Sequence, residues 1–159
     1  METDALPVRD SIIQPGETAP NFTLKDQAIS DWTLADHLGK GEDLVLAFYP
    51  MDFSPVCDTE NKCATAEMAQ FQAKGARVVG ISCDSFFTHK AYAEQLGLTH
   101  TLLADMHRAV CRAYGLYFPD LNVAARGTVV VGSDGVVKWS QTRDLSKEFD
   151  LPDLLDALA

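Results

Sequence analysis

The residues of this chain best suited to chemistry lie in one stretch, Tyr49-Pro50-Met51-Asp52-Phe53-Ser54-Pro55-Val56-Cys57-Asp58-Thr59-Glu60. Pro55 has its φ preset for a first helical turn, and Ser54 is a good N-cap residue, so Cys57 is expected in the first turn of a helix. There the unpaired backbone N–H groups and the positive end of the helix dipole favour a thiolate over a thiol. The thiolate is the attacking form of cysteine, which makes Cys57 a candidate nucleophile. Taken alone, a cysteine near a helix start also reads as a small buried hydrophobe behind an ordinary cap.

The elements that must position Cys57 alternate between strand and helix. Leu44 to Tyr49 is a short apolar run compatible with a strand buried on both faces. Pro55 to Lys74 reads as one helix with an apolar stripe through Cys57, Ala64, Met68 and Phe71, stopped by Gly75. Cys57 thus follows the carboxyl end of a buried strand, where open α/β sheets place their sites. Arg77 to Ser82 reads as a second strand and Thr88 to Leu96 as a helix closed by Gly97. Leu102 and Leu103 begin another strand, and Met106 to Tyr114 is a helix closed by Gly115. Thr128 to Val131 and Val136 to Trp139 flank Ser133-Asp134-Gly135, a hairpin turn signal, and Leu151 to Leu158 forms a terminal helix. The pattern predicts one α/β domain over residues 1–159, with a central mixed sheet and helices on its faces.

Composition narrows the function classes. A chain of 159 residues with 47% hydrophobic content supports a real core, and its net charge of −10 argues against nonspecific nucleic-acid binding. No apolar run approaches the ~20 residues of a membrane helix, and Met1 to Ser11 lacks the order of a signal peptide. The cytoplasm is the expected location. Four cysteines, Cys57, Cys63, Cys83 and Cys111, are unlike a structural disulfide framework in such a chain. Without a C-x-x-C pair, and with His89, His100 and His107 not grouped with the cysteines, their spacing does not fit a zinc site. Buried bystanders or redox chemistry remain.

Pro50-x-x-x-Ser54-x-x-Cys57 resembles the P-x-x-x-(T/S)-x-x-C motif of the peroxiredoxins, thiol peroxidases of the AhpC/TSA superfamily. Ala47-Phe48-Tyr49 and Glu60 extend the match. Pro15 to Leu24 is similar to the family's opening G-x-x-A-P-x-F-x-L, and Val79 to Ser85 to its V-G-x-S-x-D-S strand end. Arg126, ahead of Gly127 to Val131, sits where the family carries its second active-site arginine. The resemblance covers nearly the whole chain and is strongest to the bacterioferritin-comigratory or AhpE-like subgroups. It implies a thioredoxin-like fold and reduction of hydrogen peroxide and organic hydroperoxides, without metal or organic cofactor. In that scheme Cys57 attacks the peroxide, and Ser54 and nearby N–H groups hydrogen-bond it. Arg126 stabilises thiolate and leaving group, Pro50 shields the sulfur, and Glu60 orients an arginine. The implied partners are a hydroperoxide and thioredoxin or a similar dithiol, with the chain a monomer or homodimer.

Attack leaves a sulfenic acid that must be resolved. Cys63 resembles the resolving cysteine of the bacterioferritin-comigratory subgroup, displaced by one residue. At ~1.5 Å rise per residue it lies ~9 Å from Cys57 along the helix, so the first turns must unwind for a disulfide. Cys83 is an alternative, because its strand should neighbour Leu44–Tyr49; an external thiol is a third. Cys111 reads as a packing residue. A thioredoxin-like oxidoreductase would want C-x-x-C, where the nearest pair here is C-x5-C. A redox-sensing protein could use the same cysteine without rapid turnover.

Overall fold

The computed structural model describes residues 6–158. The first five residues, on which part of the leader expectation rests, and Ala159 lie outside that range. The elements run β1 (Thr23–Asp26), β2 (Asp31–Thr33), a 3-10 helix (Leu34–His37), β3 (Asp43–Phe48), α1 (Pro55–Ala66) and α2 (Met68–Ala73). They continue with β4 (Ala76–Ser82), α3 (Phe86–Leu96), β5 (Thr101–Ala104), α4 (Ala109–Ala113), β6 (Tyr117–Phe118) and β7 (Val123–Ala124). The chain ends with β8 (Gly127–Val131), β9 (Val137–Thr142) and α5 (Leu151–Ala157). Seven strands form one mixed sheet in the order β2-β1-β5-β4-β3-β8-β9, while β6 and β7 make a separate ribbon. Among the described residues no helix is long and apolar enough to cross a membrane.

Among the described strands only β3, β4 and β5 pair in parallel, with α1 and α2 between the first two and α3 between the last two. Two right-handed crossovers advancing in the same direction place their helices on one face of a sheet. That face carries Val45 and Val78 against Ala64 and Phe71, and Leu102 against Tyr92 and Ala93. The opposite face carries Leu44, Leu46, Phe48, Val79 and Ile81, covered by Phe22, Trp32, Val110 and Tyr114. The α/β class and the central mixed sheet are therefore as the pattern implied.

Two helices differ from expectation. The stretch from Pro55 to Lys74 is broken at Glu67, whose φ of −103° and ψ of 17° leave the helical region. Cys57, Ala64 and Phe71 recur every seven residues, and a straight helix would rotate the last of them roughly 40° from the first. The break lets Phe71 remain buried beside Ala76 and Val78. The helix expected over Met106–Tyr114 begins only at Ala109, because Arg108 takes a left-handed φ of 61°. Its cap comes from upstream: the Asp105 carboxylate accepts the N–H groups of Val110 (3.1 Å) and Cys111 (2.8 Å). Strands β1 and β2 carried no sequence expectation, being too short for a period-two pattern to emerge.

The N-terminal segment closes the sheet's second face, with the Ile13 N–H donating to the Tyr114 carbonyl at 3.0 Å. That approach is possible because Gly115 has no side chain. A Cβ there would lie 1.8 Å from the Ser11 oxygen.

A buried polar chain links β5 to α1. Burial holds the His100 imidazole well below its ordinary value, at about 4. His100 Nε2 meets the Asn61 side-chain oxygen at 3.0 Å, and Nδ1 meets the Thr65 hydroxyl at 2.7 Å. Because Thr65 Oγ1 also accepts the Thr99 N–H (3.0 Å), its own proton is free to satisfy a neutral Nδ1. Asn61 in turn donates to the Cys57 carbonyl at 3.1 Å. The unfolded chain takes up this proton below pH 6.5 and the folded chain only near pH 4, so the folded state loses stability as pH falls through that window. A shift of this size corresponds to on the order of 3 kcal/mol. Urea unfolding between pH 7 and 4 should show the loss in the wild type and a shallower slope in His100→Gln; parallel slopes would contradict it.

Candidate active site

The site is assembled where β3 ends and α1 begins. Phe48 of β3 pairs with Gly127 of β8, and Gly127 pairs with Thr142 of β9. The residues just outside these pairs, Arg126 and Arg143, therefore come to the strand end that launches the Cys57 loop. The Arg143 N–H donates to the Arg126 carbonyl at 2.9 Å, which fixes their relation.

Cys57 is fully buried in the first turn of α1, as its sequence context implied. Arg126 Nη2 lies 3.2 Å from its sulfur. The rest of that guanidinium is held rigidly: Nε donates to the Leu145 carbonyl at 3.0 Å, and Nη1 pairs with Glu60. The second Glu60 oxygen accepts from Arg143 Nη2 and from the Phe149 N–H, both at 2.8 Å. Arg143 also donates to the Thr128 hydroxyl at 3.0 Å. Glu60 thus contacts two arginines rather than one. Burial, followed by the nearby Arg126 charge, lowers the Arg143 guanidinium from its ordinary value.

Arg143 was not legible as a site residue. The Asp-Gly turn marks the hairpin, but counting outward from Val131↔Val137 would set Arg126 opposite Thr142. An irregularity between Val130 and Val131 shifts the register by one and brings Arg143 there instead.

Ser54 occupies the N-cap backbone position, yet its side chain makes no capping bond. Its hydroxyl donates instead to the Met51 carbonyl at 2.9 Å. Capping by the Ser54 side chain is corrected accordingly: the hydroxyl holds the loop, leaving the first N–H groups of α1 without a side-chain acceptor from that residue. Pro50 is buried at the base of the same loop.

The loop is braced from beneath. Asp52 accepts from the Tyr49 hydroxyl (2.6 Å), meets His89 Nδ1 (2.6 Å), and donates its N–H to Asp84 (2.9 Å). His89 Nε2 faces the Leu103 carbonyl at 3.0 Å, an atom that can only accept. Nε2 therefore carries a hydrogen, and a further proton lies between Nδ1 and Asp52, whose carboxyl is raised chiefly by burial. Phe53 adopts a left-handed φ of 68° and packs its ring edge-on to Tyr92 at 4.9 Å. Such a backbone costs about 1–2 kcal/mol, comparable to what an aromatic pair returns. Gly80 in β4 lies beneath the same region: a Cβ there would stand 3.2 Å from the Tyr49 ring and 3.3 Å from the Asn61 side-chain oxygen.

The remaining cysteines are free thiols held apart from Cys57. Cys63 lies on intact α1, partly buried against the cluster of Val45 and Phe71. Burial first, then Glu67, Glu148 and Glu60, raises its thiol. Strands β3 and β4 are neighbours, as expected, but Cys83 packs on the sheet face opposite Cys57. Two groups of possible metal donors do come together, Cys83–Asp105–Cys111 and Asp52–Asp84–His89, each within 4.8 Å. Their carboxylates are already engaged in the hydrogen bonds described above. A cleft of about 1010 Å³ is lined by residues such as Phe22, Lys25, Phe86 and His107, and Cys57 is not among its lining.

The site thus sets a buried thiol against a guanidinium that a bridging carboxylate holds in place. Residues 15–140 match the model of the AhpC/TSA family. The chain is 33% identical to alkyl hydroperoxide reductase E of Mycobacterium tuberculosis, covering 93% of this chain and 97% of that one. It is 36% identical to mouse peroxiredoxin-2, covering 83% and 71% respectively. The crystal structure of reduced Plasmodium vivax 2-Cys peroxiredoxin superposes with a TM-score of 0.83 at 26% identity, covering 91% and 79%. The chain belongs to the AhpC/TSA family, the peroxiredoxins. It is an enzyme of the thiol-dependent peroxidase class, on a thioredoxin-like fold.

Removing Glu60 leaves two buried guanidinium groups without their carboxylate. Glu60→Ala should lose about 3–5 kcal/mol, the range for breaking a buried ion pair. Urea unfolding would measure this, and a loss below ~1 kcal/mol would mean that solvent reaches the arginines.

Proposed function

We propose that Cys57 is the peroxidatic cysteine, and the observation that carries this is the 3.2 Å contact from Arg126 to its sulfur. The Cys57 thiolate attacks one oxygen of the hydroperoxide; an S–O bond forms and the O–O bond breaks. The leaving hydroxide or alkoxide departs as water or alcohol after taking the proton from the attacked oxygen or solvent. Arg126, locked by Glu60 and the Leu145 carbonyl, faces the thiolate before attack and the developing oxyanion after it. A fixed donor of this kind needs no reorganisation during reaction. Ser54 turns its hydroxyl from the Met51 carbonyl to the bound peroxide, together with the free N–H groups at the start of α1. Pro50 keeps water from the sulfur. Arg143 is a positioning residue that acts through Glu60.

Cys63 is the resolving thiol in this reading. Its sulfur attacks the Cys57 sulfenic acid, an S–S bond forms, and water leaves. A dithiol reductant of thioredoxin type then restores both thiols. The substrates are hydrogen peroxide and organic hydroperoxides. A cytoplasmic setting suits four free cysteines.

Cys57→Ser should lose all measurable turnover while keeping its circular-dichroism spectrum; turnover above trace with any hydroperoxide would assign the chemistry elsewhere. Cys63→Ser should react once and then stall as sulfenic acid or over-oxidise with thioredoxin as sole reductant. Because the Cys63 thiol is raised, its thiolate fraction climbs about tenfold per pH unit through neutrality, and the resolving rate of the wild type should rise with it. Normal cycling of Cys63→Ser, with a pH-independent second step, would pass resolution to an external thiol.

A further inference from the structure

Two cysteines outside this cycle face one another. Cys83, just beyond β4, and Cys111, in α4, have sulfurs 3.9 Å apart in the core opposite Cys57. Cys83 fills a variable position of the Val79 to Ser85 segment and Cys111 belongs to no motif, and the two stand 28 positions apart in the chain. We propose that Cys83 and Cys111 form a second dithiol–disulfide couple, oxidised by hydroperoxide independently of Cys57.

The geometry is close to closure. A disulfide requires ~2.05 Å between sulfurs, so they need approach by only about 1.9 Å. Asp105 keeps them in register: its N–H donates to the Ser82 carbonyl at 2.8 Å, and its carboxylate accepts the Cys111 N–H at 2.8 Å. The end of β4 and the start of α4 are thereby tied through one residue. Helix α4 has only five residues and follows the left-handed Arg108, so little regular structure resists a small shift.

The pair is also asymmetric. Cys83 is 9% exposed and Cys111 is fully buried. The Cys111 thiol is raised, first by its hydrogen bond with Cys83 and then by burial, and it lies 3.3 Å from the Arg108 carbonyl. Cys83 is therefore the attacking sulfur. Its thiolate takes one peroxide oxygen, forming S–O and breaking O–O, and alcohol or water leaves. Cys111 sulfur then displaces that oxygen, forming S–S, while the hydroxide leaves with the Cys111 proton as water. Two electrons pass from the thiol pair to the peroxide. A third-ligand role for Asp105 on a metal is disfavoured, because both its oxygens already accept backbone N–H groups.

The bridge would also reach the peroxidase loop. Cys83 lies between Ser82 and Asp84, and Asp84 accepts the Asp52 N–H at 2.9 Å and the Ser82 hydroxyl at 2.6 Å.

The test uses the full chain carrying Cys57→Ser and Cys63→Ser, which has no peroxidatic sulfur, so its outcome is separate from that of the proposed function. Hydrogen peroxide should remove 2 Da per chain and both alkylatable thiols, and peptide mapping should recover a Cys83–Cys111 link reversed by dithiothreitol. Closing this loop should raise the melting temperature by on the order of 10 °C. Adding Cys111→Ala should leave Cys83 as a dimedone-reactive sulfenic acid. If the double variant fails to fold, the same mapping on peroxide-treated Cys57→Ser decides the matter. Two thiols surviving excess peroxide, over-oxidation of Cys83 with Cys111 still free, or stoichiometric Zn²⁺ that protects both would each overturn the couple.

Discussion

Two buried guanidinium groups behind one thiol would repel each other and resist folding; Glu60 lets them coexist. Its carboxylate gives one oxygen to Arg126 and the other to Arg143 and the Phe149 N–H. Isolated charges are too costly to bury, whereas a cluster with its hydrogen bonds satisfied can be tolerated. Everything at the site follows from that arrangement. Arg126 can point a charged edge at the Cys57 sulfur because its other edges are occupied, and α1 is held against the β8–β9 hairpin because it carries Glu60.

The loop before α1 solves a separate problem. It must leave a buried strand, reverse, and deliver a cysteine to a helix start without exposing the core. Asp52 does most of this by bonding to Tyr49 just after β3, His89 in α3 and Asp84 just beyond β4. The left-handed Phe53 supplies the reversal and its ring rests on Tyr92. The polar chain through Tyr92, Asn61 and His100 continues the support beneath α1. Order at the sulfur is thus supplied largely by buried polar contacts, which specify geometry more sharply than apolar packing does.

Much of this was legible in the residues. Alternating strand and helix runs, Pro55 after Ser54, and the family motifs were enough for the sheet, the helix start and the Cys57–Arg126–Glu60 set. Arg143 was not, because a one-residue irregularity in β8–β9 decides which side chain meets Glu60 and local sequence does not encode it. Neither the break at Glu67 nor the late start of α4 follows from periodicity: the first keeps Phe71 against the sheet, and the second follows the left-handed Arg108 with Asp105 capping from upstream. The Ser54 hydroxyl departs from the commonest use of an N-cap serine and bonds the Met51 carbonyl within the loop. The Cys83–Cys111 contact joins residues far apart in the chain and carries no spacing signal at all.

Gly80 has a consequence for scale. A methyl group on it would stand 2.9 Å from Leu102 and 3.3 Å from Asn61, tighter than side chains ordinarily tolerate. Helix α1 therefore rests on bare backbone at that point. The thickness of one strand residue sets how far the helix stands off the sheet. Cys57 rides on the helix and Arg126 on the strand end, so the missing methyl acts as a shim that gauges the gap between sulfur and guanidinium.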